Sequence, residues 1–405
     1  MNFSYGPSWG SHEGGPAWKS SLWYSKPESW TANAEIPREI GAVEDWLLTS
    51  KPAPAEVAIL YSSSSDIWTM NNFAFGFDRM HTWLALTHSQ TPVDIVPEHE
   101  VAEGQLAKYR VCYLSGPNLS RAAAEKLKSW VEAGGSLWLT AGAASRDEFN
   151  RPLDTLTALL PVERGELVVH EPYQASGLFL HHLAKRDEVR IGNGAEVSKT
   201  VLECLSVKQT LNPKPGVRSE VFAHFQDSSP AALSAAVGRG RVDVLGFLPG
   251  LSYIKPALLH RVALTQKAAQ VELGKAAWTP EESREAELLK RSLNPWRFPS
   301  DIREALVLPV RQTNLTASLT CDTALVDAVA LPCEQGVLIS LANHTLSPIA
   351  QLKLQLQTTR RVTRIESVHR GPIPFEQSAD GAIRIALPLE ASDWLKVACD
   401  ESPTK

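Results

Sequence analysis

In the middle of the chain, short continuous apolar runs alternate with stretches whose apolar residues recur every three or four positions. Residues 57–61 and 111–114 are of the first kind, and the apolar-rich 93–96 and 136–140 resemble them with Asp94, Ser136 and Thr140 interspersed. A strand buried on both faces by helices reads this way, so each predicts a strand. Residues 73–89 are of the second kind, as is the stretch after Ser120 that carries Ala124, Leu127, Trp130 and Val131. Ser120 suits an N-cap, and Gly134-Gly135 a helix stop. Strands spaced by helices predict an α/β domain with a parallel, doubly wound sheet. Further on, 221–225 and 231–237 read as two strands around a turn, and Gly238-Arg239-Gly240-Arg241 turns the chain into a strand at 242–248. Helices are expected at 258–271 and 281–292. From residue 305 only short strands follow, at 305–310, 315–319, 336–342, 349–357, 361–367, 383–388 and 394–397. Several of them alternate apolar and polar residues, which predicts an all-β sandwich.

The first fifty residues have another texture. Gly, Ser, Pro and Trp dominate up to Trp30, after which Ile36, Ile40, Val43 and Leu47 recur at helical spacing. Lys51-Pro52-Ala53-Pro54-Ala55 is a Pro-punctuated linker. The chain therefore divides into a Trp-rich arm and helix (1–52), an α/β domain (53–260), a helical connector (261–300) and the sandwich (301–400).

Composition narrows the function. The formal net charge is -5, and the nearest basic clusters, Lys126 with Lys128 and Arg360-Arg361, are short and isolated. Nucleic-acid binding wants a basic stripe, so no nucleic-acid partner is expected. Five scattered cysteines form no C-x-x-C pair; they read as reduced thiols rather than a disulfide frame or a zinc site. No apolar stretch approaches the ~18 residues of a membrane span. The N-terminus lacks the basic and apolar regions of a signal peptide, so a cytoplasmic location without membrane contact is expected. Twelve tryptophans include Trp9, Trp18, Trp23, Trp30 and Trp46 in the first fifty residues. Burial is the simpler account of them; stacking on sugar rings is the other.

Several segments together carry a family likeness. Val57-Ala58-Ile59-Leu60-Tyr61-Ser62-Ser63-Ser64-Ser65-Asp66-Ile67-Trp68 resembles the opening of the trimerisation domain of bacterial beta-galactosidases. So do Thr91-Pro92-Val93-Asp94-Ile95-Val96, Tyr113-Leu114-Ser115-Gly116-Pro117, Trp130-Val131-Glu132-Ala133-Gly134-Gly135, and the hairpin from Val221 to Val242. The resemblance covers about 50–260 well and the sandwich loosely. It implies a flavodoxin-type, class I glutamine-amidotransferase-like α/β fold, normally placed between a (β/α)8 glycosidase barrel and a small β domain. Such a barrel takes roughly 200–250 residues, and only about fifty precede the α/β domain here. Residues 1–50 resemble the segment just downstream of that barrel. The paired catalytic carboxylates of a retaining glycosidase are therefore not expected in this chain, which is a fragment, a split gene product or a stand-alone remnant. The expected role is a non-catalytic accessory or oligomerisation portion of a beta-galactosidase-like glycoside hydrolase, partnered by further copies of itself or by a glycosidase barrel.

Amidotransferase chemistry needs a thiolate on a tight strand-to-helix turn. The equivalent turn, Ala141-Gly142-Ala143-Ala144-Ser145, has no cysteine, and none of the eleven histidines has Glu two residues on. Ser145 reads better as an N-cap than as a substitute nucleophile. His181-His182 cannot chelate one metal from a strand, because adjacent side chains point to opposite faces. No catalytic residue, metal or cofactor is assigned. A ligand of an open α/β sheet binds beyond the carboxyl ends of the strands. The residues expected there are Ser65, Asp66, Trp68, Ser115, Gly116, Gly142, Ser145 and Tyr253. Two alternatives stay open: a sugar-binding module using that crevice, with the serines and Asp66 otherwise serving as caps, or a glycoside hydrolase whose site is not evident.

Overall fold

Helix α1 (Pro27–Leu47) opens the part of the chain described by the computed structural model, which covers residues 27–69, 74–169, 183–192, 200–291, 295–315 and 317–400. Residues 54–269 and 294–317 form one compact unit; the segments up to 53, 270–293 and from 318 onward form a second. His181-His182 and the tryptophans at 9, 18 and 23 lie outside the described residues.

The first unit is built on a nine-stranded sheet in the order β2-β1-β3-β4-β11-β10-β9-β6-β7. Strands β1 (Val57–Tyr61), β2 (Val93–Pro97), β3 (Val111–Leu114), β4 (Ser136–Leu139) and β11 (Gly240–Leu245) run parallel. Strands β10 (Pro230–Val237), β9 (Glu220–Phe225), β6 (Lys185–Ile191) and β7 (Val201–Leu205) continue the sheet antiparallel. Strand β5 (Val162–Val169) pairs with β8 (Val207–Pro213) in a separate two-stranded ribbon.

The central parallel strands are buried because both of their faces are covered, whereas the edge strand β2 leaves Ile95 exposed. Ala58, Leu60, Cys112, Leu114, Leu137 and Leu139 turn to one face and meet Ala123, Ala124, Leu127 and Val131 of α5 (Arg121–Glu132). The intervening Val57, Ile59, Val111, Tyr113 and Trp138 turn to the other. There they join Ala85 and Leu86 of α3 (Ala74–Thr87), Tyr253 of α6 (Pro249–Glu272), and Ile302 and Leu306 of α8 (Ser300–Leu306). Each fully buried large apolar side chain stabilises the fold by roughly 1.5–3 kcal/mol, so these two layers dominate its stability. The short helices α2 (Ser63–Trp68) and α4 (Glu98–Ala102) start directly from the carboxyl ends of β1 and β2.

The second unit contains α7 (Pro280–Arg291) and a β-sandwich. One of its sheets has the order β12-β15-β19-β18, from Leu319–Cys321, Ile349–Gln357, Ala382–Leu389 and Phe375–Gln377. The other has the order β13-β14-β20-β16-β17, from Val326–Cys333, Gly336–Asn343, Ser392–Cys399, Val362–Ser367 and Gly371–Pro372. In β15, Leu352, Leu354 and Leu356 point inward while Lys353 and Gln355 face out. The inward residues pack against Ile339, Leu341, Leu395 and Val397 of the facing sheet. The chain after α1 runs along β13, with the Lys51 and Ala53 amides donating to the Pro332 and Ala330 carbonyls. Of the four apolar positions at helical spacing in α1, Val43 is buried, Leu47 is half-buried, and Ile36 and Ile40 are exposed.

Three expectations about elements need correction. The run 305–310 is not a strand: it falls in α8 and in α9 (Leu308–Gln312). A short apolar run cannot by itself distinguish a strand from a buried helix, and Ile302, Leu306 and Val310 in fact recur every four residues toward the core. In the stretch 315–319, β12 begins only at Leu319. The helix expected at 258–271 begins earlier: α6 opens on Pro249, where a proline is well tolerated, and its first turns contain Gly250 to Tyr253. Strands β5 to β8 and β13 were not anticipated at all.

Candidate functional site

The carboxyl ends of the parallel strands converge on a region rich in polar side chains, and most of those side chains bond to one another. Ser62, just past β1, caps α2: its Oγ accepts the Ser65 amide at 3.0 Å and donates to the Asn118 carbonyl at 2.7 Å. Ser65 Oγ donates to the same carbonyl and accepts the Asn118 amide, both at 2.8 Å. Glu98 gathers the rest of the serine run. Its carboxylate accepts the Ser63 and Ser64 hydroxyls at 2.7 Å, the Ser64 amide at 2.9 Å and the Ser120 amide at 3.0 Å. Burial alone would raise its pKa. The Ser64 and Ser63 hydroxyls and the Ser120 and Ser64 amides outweigh burial and hold it below the ordinary glutamate value.

Beside this cluster lies a buried carboxyl. Asp78 on α3 accepts the Ser115 hydroxyl at 2.7 Å and the Gly250 amide at 2.7 Å, and Thr140 Oγ1 in turn donates to Ser115 Oγ at 3.1 Å. Desolvation pushes the Asp78 pKa up to about 7, against the lowering influence of Ser115, Gly250 and Arg79. Asp78 thus ties α3, the end of β3 and the start of α6 together.

The residues expected to bind a ligand are distributed as follows. Ser65 and Ser115 are buried in the bonds just given. Asp66 forms a two-oxygen ion pair with Arg79, at 2.9 and 3.1 Å. Trp68 keeps an exposed ring, with its indole N–H on the Glu148 carbonyl at 3.0 Å. Gly116 has φ +111, and a Cβ there would stand 2.6 Å from Ser65 Oγ, so only glycine lets the two loops meet. Gly142, at φ +71, donates its amide to Gln209 Oε1 at 2.8 Å, and a Cβ there would stand 2.8 Å from Leu167. Ser145 is half-buried, with its backbone bonded to Gly142 and Leu153. Tyr253 is fully buried, its hydroxyl 2.8 Å from His88 Nδ1.

The turn after β4 is tight, with a left-handed Ala144 at φ +48. The chain then runs on to β5 through turns without a helix, so Ser145 is not an N-cap. The β5–β8 ribbon covers the turn with Leu167 and Gln209 and with Arg164, whose Nη1 donates to the Ala143 carbonyl at 2.6 Å. No cysteine stands near the turn, and the five thiols are free. Burial drives Cys112 and Cys204 up to about 12, far from the thiolate that nucleophilic catalysis requires. Among the described residues no group of three His, Cys, Asp or Glu side chains could hold a metal ion, and no helix is long and apolar enough to cross a membrane.

Asp78, Glu98, Asn118, Arg164 and Gln209 were not singled out from the sequence. Asp78 left a signal: it sits with Phe75, His81, Thr82, Ala85 and Leu86 on the buried stripe of α3, where a carboxylate is rare unless paired. The others left none, since they reach the region from distant elements.

The two larger cavities lined by described residues lie away from the strand ends. One, of about 480 Å³, is lined by Arg110, Lys126, Trp130 and Gly135 near the opposite ends of the strands. The other, of about 600 Å³, crosses the four-stranded sheet of the sandwich.

No protein-family model matches the sequence, and no curated protein sequence matches it. Solved structures do share the fold. A beta-galactosidase from Bacillus circulans sp. alkalophilus superposes with a TM-score of 0.58 at 13% identity, over 91% of this chain and 45% of that one. A GH42 beta-galactosidase from G. stearothermophilus gives 0.55 at 14% identity, over 86% and 41%. The alpha-L-fucosidase isoenzyme 2 from Paenibacillus thiaminolyticus gives 0.51 at 14% identity, over 90% and 51%. Nearly all of this chain therefore has the fold of a portion of beta-galactosidases, about two fifths of their length, and its described residues contain an open sheet and a sandwich but no (β/α)8 barrel.

Proposed function

We propose that this chain is the non-catalytic portion of a beta-galactosidase-like glycoside hydrolase, serving subunit contacts rather than sugar chemistry. In this reading the first unit is a flavodoxin-type, glutamine-amidotransferase-like domain equivalent to the trimerisation domain, and the partner is a further copy of the chain or a glycosidase barrel. The observation that carries it is the share of the solved beta-galactosidases that the fold spans. The state of the strand-end region supports it: the serines, Glu98, Asp78 and Asn118 are bonded to one another, and the turn at 141–145 lacks a cysteine. Purified chain should therefore not hydrolyse a chromogenic galactoside. Turnover by homogeneous protein that disappears on replacing one carboxylate would defeat the proposal. Its positive arm is sedimentation, alone and with a barrel-containing glycosidase subunit, where self-association or a stable complex is expected.

The alternative, a sugar site at the strand ends, draws on one observation: the Trp68 ring is exposed beside that region. Calorimetric titration with a panel of galactosides tests it, and Trp68→Ala should then abolish the heat.

A further inference from the structure

Arg164 is held in an unusual state. Its Nη1 donates to the Ala143 carbonyl at 2.6 Å, which fixes the guanidinium plane over the turn that follows β4. Its other two nitrogens, Nε and Nη2, are out of contact with solvent and have no hydrogen-bond partner. These two lie on the same edge of the guanidinium and point their N–H groups in parallel, the fork that receives both oxygens of a carboxylate. Among the described residues no acidic side chain faces it, and burial draws the Arg164 pKa down to about 10. The neighbouring Glu163 and Glu166 are exposed. A buried cation without a counter-charge is costly, and proteins resolve it by pairing.

The surroundings single out this edge. The nearby donor on the turn, the Gly142 amide, is already taken by Gln209 Oε1, and Leu167 packs against Gly142 itself. The Arg164 fork is thus the open valence beneath the ribbon. We propose that Arg164 is the anchor of a binding site for a small molecule bearing a carboxylate, seated on Nε and Nη2 beneath β5. A singly charged planar anion neutralises one guanidinium, whereas a phosphate dianion would leave a net negative charge buried there. Access requires β5 to move away from the turn. That strand pairs only with β8 among the described residues, and Glu163, Glu166, Val168 and Val169 along it are exposed, whereas β8 is anchored by its Gln209 amide on the Gly246 carbonyl at 2.8 Å. This site is independent of the subunit role proposed above.

The test uses the full chain, titrated calorimetrically with sodium acetate, sodium galacturonate and galactose. One-to-one binding of galacturonate or of both carboxylates is expected, with none of galactose; the two carboxylate arms separate a sugar acid from a simple carboxylate. Arg164→Met should lower the affinity at least ~100-fold, and Arg164→Lys, a point charge without a fork, should fall between. Arg164→Met keeps an apolar stem and removes the unpaired charge. Should it nonetheless fail to fold, the Nε–H resonance of ¹⁵N-arginine-labelled wild-type protein supplies the readout: the Arg164 signal must shift on adding the carboxylate that binds. No carboxylate binding by wild type, equal binding of galactose, unchanged affinity in Arg164→Met or an unmoved Arg164 resonance would each overturn the proposal.

Discussion

Replacing Asp78 by Asn should change how stability depends on pH. The carboxyl is fully buried on α3, between the Ser115 hydroxyl and the Gly250 amide, and its pKa rises from 3.8 to about 7. A carboxyl whose folded pKa is raised binds its proton more tightly in the native state. Its contribution is therefore fully present below the unfolded value near 3.8 and is lost as pH rises through about 7. At about 1.4 kcal/mol per pH unit, that interval is worth on the order of 4 kcal/mol. Asn mimics the protonated acid: its carbonyl can accept the Gly250 amide and its NH2 can face Ser115 Oγ. The variant should match wild type within ~1 kcal/mol at pH 4 and exceed it by about 2–4 kcal/mol at pH 8. Urea unfolding followed by circular dichroism at intervals between these values measures the difference, in which every other titrating group cancels. A wild-type-minus-variant difference that stays flat with pH, or grows in the opposite sense, would refute the raised pKa of Asp78.

Three further outcomes follow from the same region. Glu98→Ala leaves the Ser64 and Ser120 amides without their acceptor and should cost ~2–4 kcal/mol. Because Glu98 is held below its ordinary value, its contribution in wild type should be present above about pH 4.5 and fade as pH falls further, visible as an acid-side stability loss that the variant lacks. Gly116→Ala adds a Cβ 2.6 Å from Ser65 Oγ at φ +111; a loss of about 2–3 kcal/mol is expected in thermal melts, against a smaller loss of about 1 kcal/mol for Gly104→Ala, where φ +92 strains the backbone but nothing crowds the added carbon. A thiol-reactive dye should leave Cys112 and Cys204 unlabelled in native protein, since both are buried with pKa values near 12. Peptide mapping after denaturation should then find both modified.

The periodicities in the chain were enough to place most of the α/β and sandwich strands. Strands such as β1, β3 and β15 announce themselves within a few residues, because a strand buried on both faces, or on one, leaves a local pattern. The missing cysteine in the turn at 141–145 was equally plain, as an absence at one place in the sequence. The run 305–310 shows where local reading stops: the choice between helix and strand depended on which core Ile302, Leu306 and Val310 had to meet. The strand-end region belongs wholly to the tertiary structure. Whether Ser65 faces a ligand or the Asn118 carbonyl, whether Glu98 gathers the serines, and what the Arg164 guanidinium meets depend on residues 21 to 53 positions apart in the chain. Burial and hydrogen-bond partnership are properties of neighbours brought together by folding. Periodicity foretells which face a residue turns to, and only the fold decides what waits on that face.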